Sequence, residues 1–295
     1  MYFVALASSL LFASSLTLTF ADAAAGSEIA RAAEGEKQTL GYGSDRAQSL
    51  DFWRADKARG PAPLVLFVHG GGWTRGSKDN ATGRDKAPHY TAEGYNFASI
   101  NYRLVPDATV EQEAQDVADA VASLVKRADA LGIDRHRIVL MGHSAGAHLV
   151  ALVGTDPRYL RAAGLSESDI AGIVPIDGAA YDVAAQMQAH AGPWISTMYG
   201  NAFGTDPARQ RALSPTLQAA APNAPAFLIL HVQRPDGIEQ SEALAAALRK
   251  GGTPVEIEGF PGTGLRGHMT INRRLGDPDY AATGVVDAWL KKVFA

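Results

Sequence analysis

The sequence predicts an α/β fold: a mainly parallel sheet of about eight strands with helices on both faces. Three observations carry that reading. Short apolar runs alternate with segments of helical spacing along most of the chain. The run at 63–69 is continuously apolar up to its histidine, as a strand buried on both faces requires. Two glycine-rich turns, at 69–73 and 142–146, directly follow such runs.

Taken in order, 38–42 and 48–53 read as short strands around the turn Gly43-Ser44-Asp45. Further strands are expected at 64–68, 95–102, 137–141, 170–176, 225–231 and 255–260. Residues 111–131 place Val117, Ala120, Val121, Leu124 and Val125 at spacings of three and four, and Gly132 follows, so one helix is expected there. Other helices are expected at 145–153, at 238–250 before Gly251-Gly252, and at 283–294. Residues 181–225 break the alternation, with Trp194, Met198, Tyr199 and Phe203 among Pro and Gly. That stretch is too long for an ordinary connection and reads as a small lid-like insertion over one end of the sheet. With no repeat and no linker, 26–295 is expected to form one domain.

Composition narrows the function. At 46% apolar and 20% charged over 295 residues, the chain is globular rather than disordered. A net charge of −4 supplies no overall field for nucleic acid or an anionic membrane. The chain has no cysteine, which removes disulfides, thiolate metal sites, cysteine nucleophiles and a lipoprotein anchor. Residues 4–20 are uncharged and largely apolar, and lead into Ala21-Asp22-Ala23-Ala24-Ala25, with A-x-A sites ending at Ala23 and Ala25. Residues 1–25 therefore read as a secretory signal peptide, although no Lys or Arg precedes the apolar run. The expectation is an exported protein, periplasmic or secreted, with no stable membrane insertion after cleavage.

Gly142-His143-Ser144-Ala145-Gly146 matches G-x-S-x-G. Between a strand and a helix, that pattern forces a sharp turn that exposes the serine oxygen, and its small residues let the helix approach. Ser144 is the candidate nucleophile. Upstream, His69-Gly70-Gly71-Gly72-Trp73 follows a buried strand. Its glycines can bring backbone N–H groups against a developing oxyanion, so Gly71 and Gly72, together with Ala145, are the candidate oxyanion donors. The spacing of a phosphate-binding turn is absent.

A serine hydroxyl needs an imidazole to take its proton. Of eight histidines, His268 follows the last expected strand, in a position expected to be a loop. His143, beside the serine, is expected to line the pocket or pack behind the oxyanion loop. On such sheets the acid lies in sequence between serine and histidine. Asp236, five residues after the strand expected at 225–231, is the candidate. Glu239 is its neighbour in the same stretch, and Asp177 and Asp182 form a rival pair after the preceding strand. No H-E-x-x-H or other metal pattern occurs, and no cofactor is implied.

Four segments together resemble the α/β-hydrolase superfamily. They are His69–Trp73, Asn101-Tyr102-Arg103-Leu104-Val105-Pro106-Asp107, Gly142–Gly146, and the tail from Asp236 to His268. Within the superfamily the chain resembles hormone-sensitive-lipase-like carboxylesterases, and its loop ending in Trp73 is also similar to that of arylformamidases and some feruloyl esterases. The resemblance implies a triad of Ser144, Asp236 and His268, with Tyr102 and Arg103 buttressing the oxyanion loop. Val105-Pro106-Asp107 stands where that group usually has Ala-Pro-Glu, and the N-terminal region is too short for its helical cap.

The expected activity is hydrolysis of a small ester, of short-chain or aromatic type, through an acyl-serine. An arylformamidase and a non-catalytic binding module are the alternatives. Trp73, His143, Tyr181, Trp194 and Tyr199 are expected to line the substrate pocket.

Overall fold

A computed structural model describes residues 37–189, 192–220 and 222–295, apart from the side chains of Pro193 and Trp194. The expected signal segment lies outside the described residues, and so does the Trp194 side chain. The strands are β1 (Lys37–Gly41), β2 (Ser49–Trp53), β3 (Ala62–Val68), β4 (Asn96–Ile100), β5 (Ile133–His143), β6 (Gly172–Ile176), β7 (Phe227–Gln233) and β8 (Val255–Thr263). The first helices are α1 (Lys86–Ala92), α2 (Val110–Lys126), α3 (Ala128–Leu131), α4 (Ala145–Thr155) and α5 (Pro157–Ala162). Between β6 and β7 come α6 (Val183–Gln188), α7 (Pro193–Phe203), α8 (Pro207–Ala212) and α9 (Pro215–Gln218). The last three are α10 (Pro235–Lys250), α11 (Gly264–Arg274) and α12 (Ala281–Val293).

Among the described residues the eight strands form one sheet, in the order β1-β2-β4-β3-β5-β6-β7-β8. The pairs β1–β2 and β2–β4 are antiparallel. From β4 through β3, β5, β6 and β7 to β8 all neighbours are parallel. Both faces are covered, and the strands show it by alternation. Leu64, Leu66 and Val68 of β3 enter one core, with Ile138 and Leu140 of β5 and Phe227 and Ile229 of β7. Val65 and Phe67, with Val139 and Met141 and with Leu228 and Leu230, enter the other. A period of two with apolar residues at every position produces the continuous runs seen in the sequence.

Every residue of α4 is buried. Its two glycines bring it close to the sheet. A Cβ on Gly146 would lie 2.1 Å from the Val68 carbonyl oxygen, and one on Gly154 2.7 Å from Ile173 Cγ1.

Two expected boundaries differ in ways that matter below. The helix expected over 111–131 is split into α2 and α3, and Gly132 ends α3 in the left-handed conformation (φ 69°). The helix expected from 238 starts at Pro235, immediately after β7 ends at Gln233. No helix among the described residues is long and apolar enough to cross a membrane.

Candidate active site

The chemistry-bearing residues gather where parallel strands end, the edge of such sheets at which ligands bind. β5 runs into α4 through Ser144, whose backbone sits at φ 57°, ψ −118°. A β-carbon residue in that region is strained. The turn is held by the Ser144 N–H, which donates to the Ile176 carbonyl at 3.1 Å. A Cβ on Gly142 would lie 2.3 Å from the Gly146 carbonyl oxygen, so the two glycines of the motif make room for each other.

The loop after β3 packs onto this turn. A Cβ on Gly70 would lie 2.7 Å from the His143 carbonyl oxygen and 2.9 Å from Ser144 Cβ. Gly71 (φ 136°), Gly72 (φ 62°) and Trp73 (φ 61°) then take left-handed backbone conformations in succession. Tyr102 donates its hydroxyl to the His69 carbonyl at 2.7 Å and stacks on the His69 ring. Arg103 instead anchors its segment to α2, through a bidentate pair with the buried Asp116. The Trp73 indole N–H points to His148 Nδ1 at 3.4 Å, and His148 Nε2 donates to the Leu213 carbonyl at 2.8 Å. Burial pushes His148 and His69 down to about 4, so both rings are neutral packing elements at neutral pH. Ala145 opens α4, where a helix leaves its first amides without an intrahelical acceptor.

His268 is in α11, not in a loop. Its Nδ1 is 2.6 Å from Asp177 Oδ2, and its carbonyl accepts from His143 Nε2 at 2.9 Å. Asp177 follows β6, is fully buried, and adopts φ 44°. Its N–H donates to the Leu230 carbonyl at 2.6 Å, and its Oδ1 accepts from the Val232 N–H at 3.1 Å. Burial alone would raise its pKa. The hydrogen bond from His268, the Arg234 charge and the Val232 amide together hold it below the ordinary carboxylate value. With Nδ1–H donated to Asp177, His268 Nε2 carries the free lone pair.

This overturns the assignment of Asp236 as the acid. Asp236 lies in the first turn of α10, and its side chain is 40% exposed. Its Oδ2 is 3.4 Å from Gln186 Nε2 and 3.8 Å from Arg234 Nη2. Because α10 starts two residues after β7, no loop remains to carry Asp236 over His268. Of the other carboxylates considered, Asp182 caps α6 through the Ala185 N–H, and Glu239 is exposed. The signal for Asp177 was present as an acid directly after a buried strand, followed by Gly178.

A cavity of about 570 Å³ opens over the site, bordered by Ser144, His143, His268, Gly71, Gly72 and Trp73. Ile195, Met198 and Tyr199 of α7 and Ala179 form an apolar wall, and Arg234 and Asp236 also reach it. Tyr181 does not. It is wholly buried beneath Gly178, whose Cβ would lie 2.1 Å from the Tyr181 hydroxyl. Tyr181 is therefore core, and its expected place in the pocket is corrected.

The BD-FAE family model matches residues 50–248, about two thirds of the chain. Esterase LipC of Mycobacterium tuberculosis is 33% identical over 219 residues, which are 70% of this chain and 54% of LipC. The chain thus spans about half the length of that relative. Ethyl acetate hydrolase of Pseudomonas putida is 26% identical over 236 residues, 76% of this chain and 71% of the hydrolase. Among solved structures, esterase B of Lactobacillus rhamnosis (HN001) superposes with a TM-score of 0.71 at 20% identity, covering 88% of this chain and 84% of that one. That likeness is one of fold. From the matched family model and the sheet order, the chain belongs to the BD-FAE family and has the α/β-hydrolase fold.

Proposed function

We propose that the protein is a serine carboxylesterase acting on small esters, with Ser144 as nucleophile, His268 as base and Asp177 as the acid that orients it. The observation that carries this reading is the 2.6 Å contact between His268 Nδ1 and buried Asp177, beside a cavity that a strained Ser144 also borders. The names of LipC and ethyl acetate hydrolase support the ester bond as substrate.

In this mechanism Ser144 Oγ attacks the ester carbonyl carbon as its proton passes to His268 Nε2. The carbonyl electron pair moves to oxygen, where the N–H groups of Gly71, Gly72 and Ala145 stabilise it. Collapse re-forms the carbonyl and breaks the bond to the alkoxy oxygen, which leaves as the alcohol with the proton from His268. Water then attacks the acyl-serine by the same route, releases the acid and restores Ser144. Asp177 keeps the imidazole in the Nδ1–H tautomer and stabilises its transient cation without taking the proton. The wall of Ile195, Met198 and Tyr199 suits a short aliphatic or aromatic group.

Hydrolysis of p-nitrophenyl butyrate by the protein tests the reading, with Ser144→Ala as control. We expect turnover in the wild type and a loss of about 10⁶-fold in kcat in the variant. No turnover, or a Ser144→Ala protein as active as wild type, sinks it. A kcat/KM at least about tenfold higher for N-formylkynurenine would move the reaction to formamide hydrolysis.

A further inference from the structure

A cation beside the His268–Asp177 pair takes no part in the proposed steps. Arg234, the last residue before α10, has a side chain only 16% exposed and is pressed against the His268–Asp177 pair. Its Nε is 3.4 Å from Asp177 Oδ2, Nη1 is 3.3 Å from His268 Nδ1, and Nη2 donates to the Gly178 carbonyl at 3.3 Å. Nη2 is also 3.8 Å from Asp236 Oδ2. The space it fills depends on Gly237. A Cβ there would lie 3.0 Å from Nη2, 3.3 Å from Nε and 3.4 Å from Asp177 Oδ1.

The Nδ1–H of His268 donates its hydrogen bond to Asp177, so that nitrogen has no lone pair for Arg234. The Arg234–His268 approach therefore places a positive charge beside the ring rather than forming a hydrogen bond. A cation there opposes protonation of the imidazole, while Asp177 favours it. We propose that Arg234 is a positioning residue that holds the Asp177 carboxylate and sets the pH at which the His268–Asp177 pair takes up its proton, with Asp236 moderating its charge. This rests on the triad assigned above.

Other groups face the pair as well. His143, at the end of β5, lies 4.4 Å from His268 ring to ring, and burial holds it neutral. Lys86 of α1 reaches α11 at Asn272, one turn beyond His268. Tyr181 and Tyr280 interact with Asp177, and burial raises both above the ordinary phenol value. Within this set Arg234 is the charge in closest contact with both members of the pair.

The test is kcat/KM for p-nitrophenyl butyrate from about pH 5 to about pH 9, in wild type, Arg234→Gln, Arg234→Lys and Asp236→Asn. Alongside it, NMR follows the His268 imidazole through the same range. Arg234→Gln is expected to move the acid limb and the imidazole midpoint up by about one pH unit. Arg234→Lys should restore most of that shift, because it keeps the charge, and Asp236→Asn should move both the other way. An unmoved limb in Arg234→Gln, or a Lys variant that matches the Gln variant, overturns the proposal. If no protein turns over ester, the catalytic reading fails, and the imidazole titration still decides the role of Arg234.

Discussion

Two carboxylates lie close to Arg234, and they are held in opposite ways. Asp177 sits in a left-handed turn at the end of β6, fully buried, with donors from His268 and Val232 on its two oxygens. Asp236 sits in the first turn of a helix, 40% exposed, with its nearest donors at 3.4 and 3.8 Å. Burying a carboxylate is costly unless it is paired and hydrogen-bonded. The turn after β6 meets that cost with the donors His268 and Val232 and the charge of Arg234, and gains a fixed orientation. A helix start needs no such arrangement, because water and the helix dipole already favour the charge. Backbone strain at a strand end therefore coincides with preorganised chemistry, and the regular helix start leaves its acid adaptable.

The sharpest break of this contrast is Asp177→Asn. The amide would present its NH₂ to His268 and favour the Nδ1 lone pair, which puts the proton on Nε2 and removes the base. We expect kcat/KM to fall by about 10⁴-fold while the fold is retained. A loss below about tenfold, measured with the same ester, would mean that burial and orientation at this turn do not serve the base. Next in size is Gly70→Ala. The added methyl would press on the His143 carbonyl and Ser144 Cβ, neither of which can swing aside. The oxyanion loop must then back away from the nucleophile. A loss of about 10²–10³-fold in kcat is expected, with KM little changed.

The same contrast explains what the sequence reveals. Strand alternation, the covered parallel sheet and the Ser144 elbow are all legible, because periodicity and glycine spacing carry them directly. The elements around the acid and base are not. α11 carries Gly264 and Gly267, which read as loop residues, yet a Cβ on Gly267 would lie 2.4 Å from the Gly262 carbonyl carbon. That glycine is there for a close approach, not to end a helix. Pro235 reads as a loop residue but occupies the first turn of α10, a position that proline favours. Proline does the same in α7, α8 and α9, which hides the helices of the 181–225 segment. The order rule for the acid was satisfied by both Asp177 and Asp236, and only three-dimensional pairing separates them.

A smaller effect probes how α11 is held beneath the imidazole. Lys86 is fully buried, donates to the Thr82 carbonyl and to both oxygens of Asn272, and lies over the Phe67 ring. Burial pushes it down to about 7, from an ordinary value of 10.5. Between those values the unfolded chain binds the proton more readily than the native protein, so the contribution of Lys86 to stability rises with pH across that window. Denaturation of wild type and Lys86→Met at about pH 7 and about pH 9 should show the wild type gaining on the variant. The gain is at most about 1.4 kcal/mol per pH unit. A difference independent of pH would show that the ammonium stays charged throughout, stabilised by its three acceptors.

The smallest expected effect belongs to Asp236→Asn, and it is the other half of the comparison. At about pH 8 we expect the charge of Asp236 to act mainly on binding and on the set of Arg234. A partly exposed pair at 3.8 Å contributes at most about 1 kcal/mol. We therefore expect kcat/KM for p-nitrophenyl butyrate to stay within about fivefold of wild type. A loss that approaches the Asp177→Asn value would put both carboxylates in the catalytic unit. Adaptability at the start of α10 would then be a property of the unliganded cavity, with Asp236 drawn in only when substrate fills it.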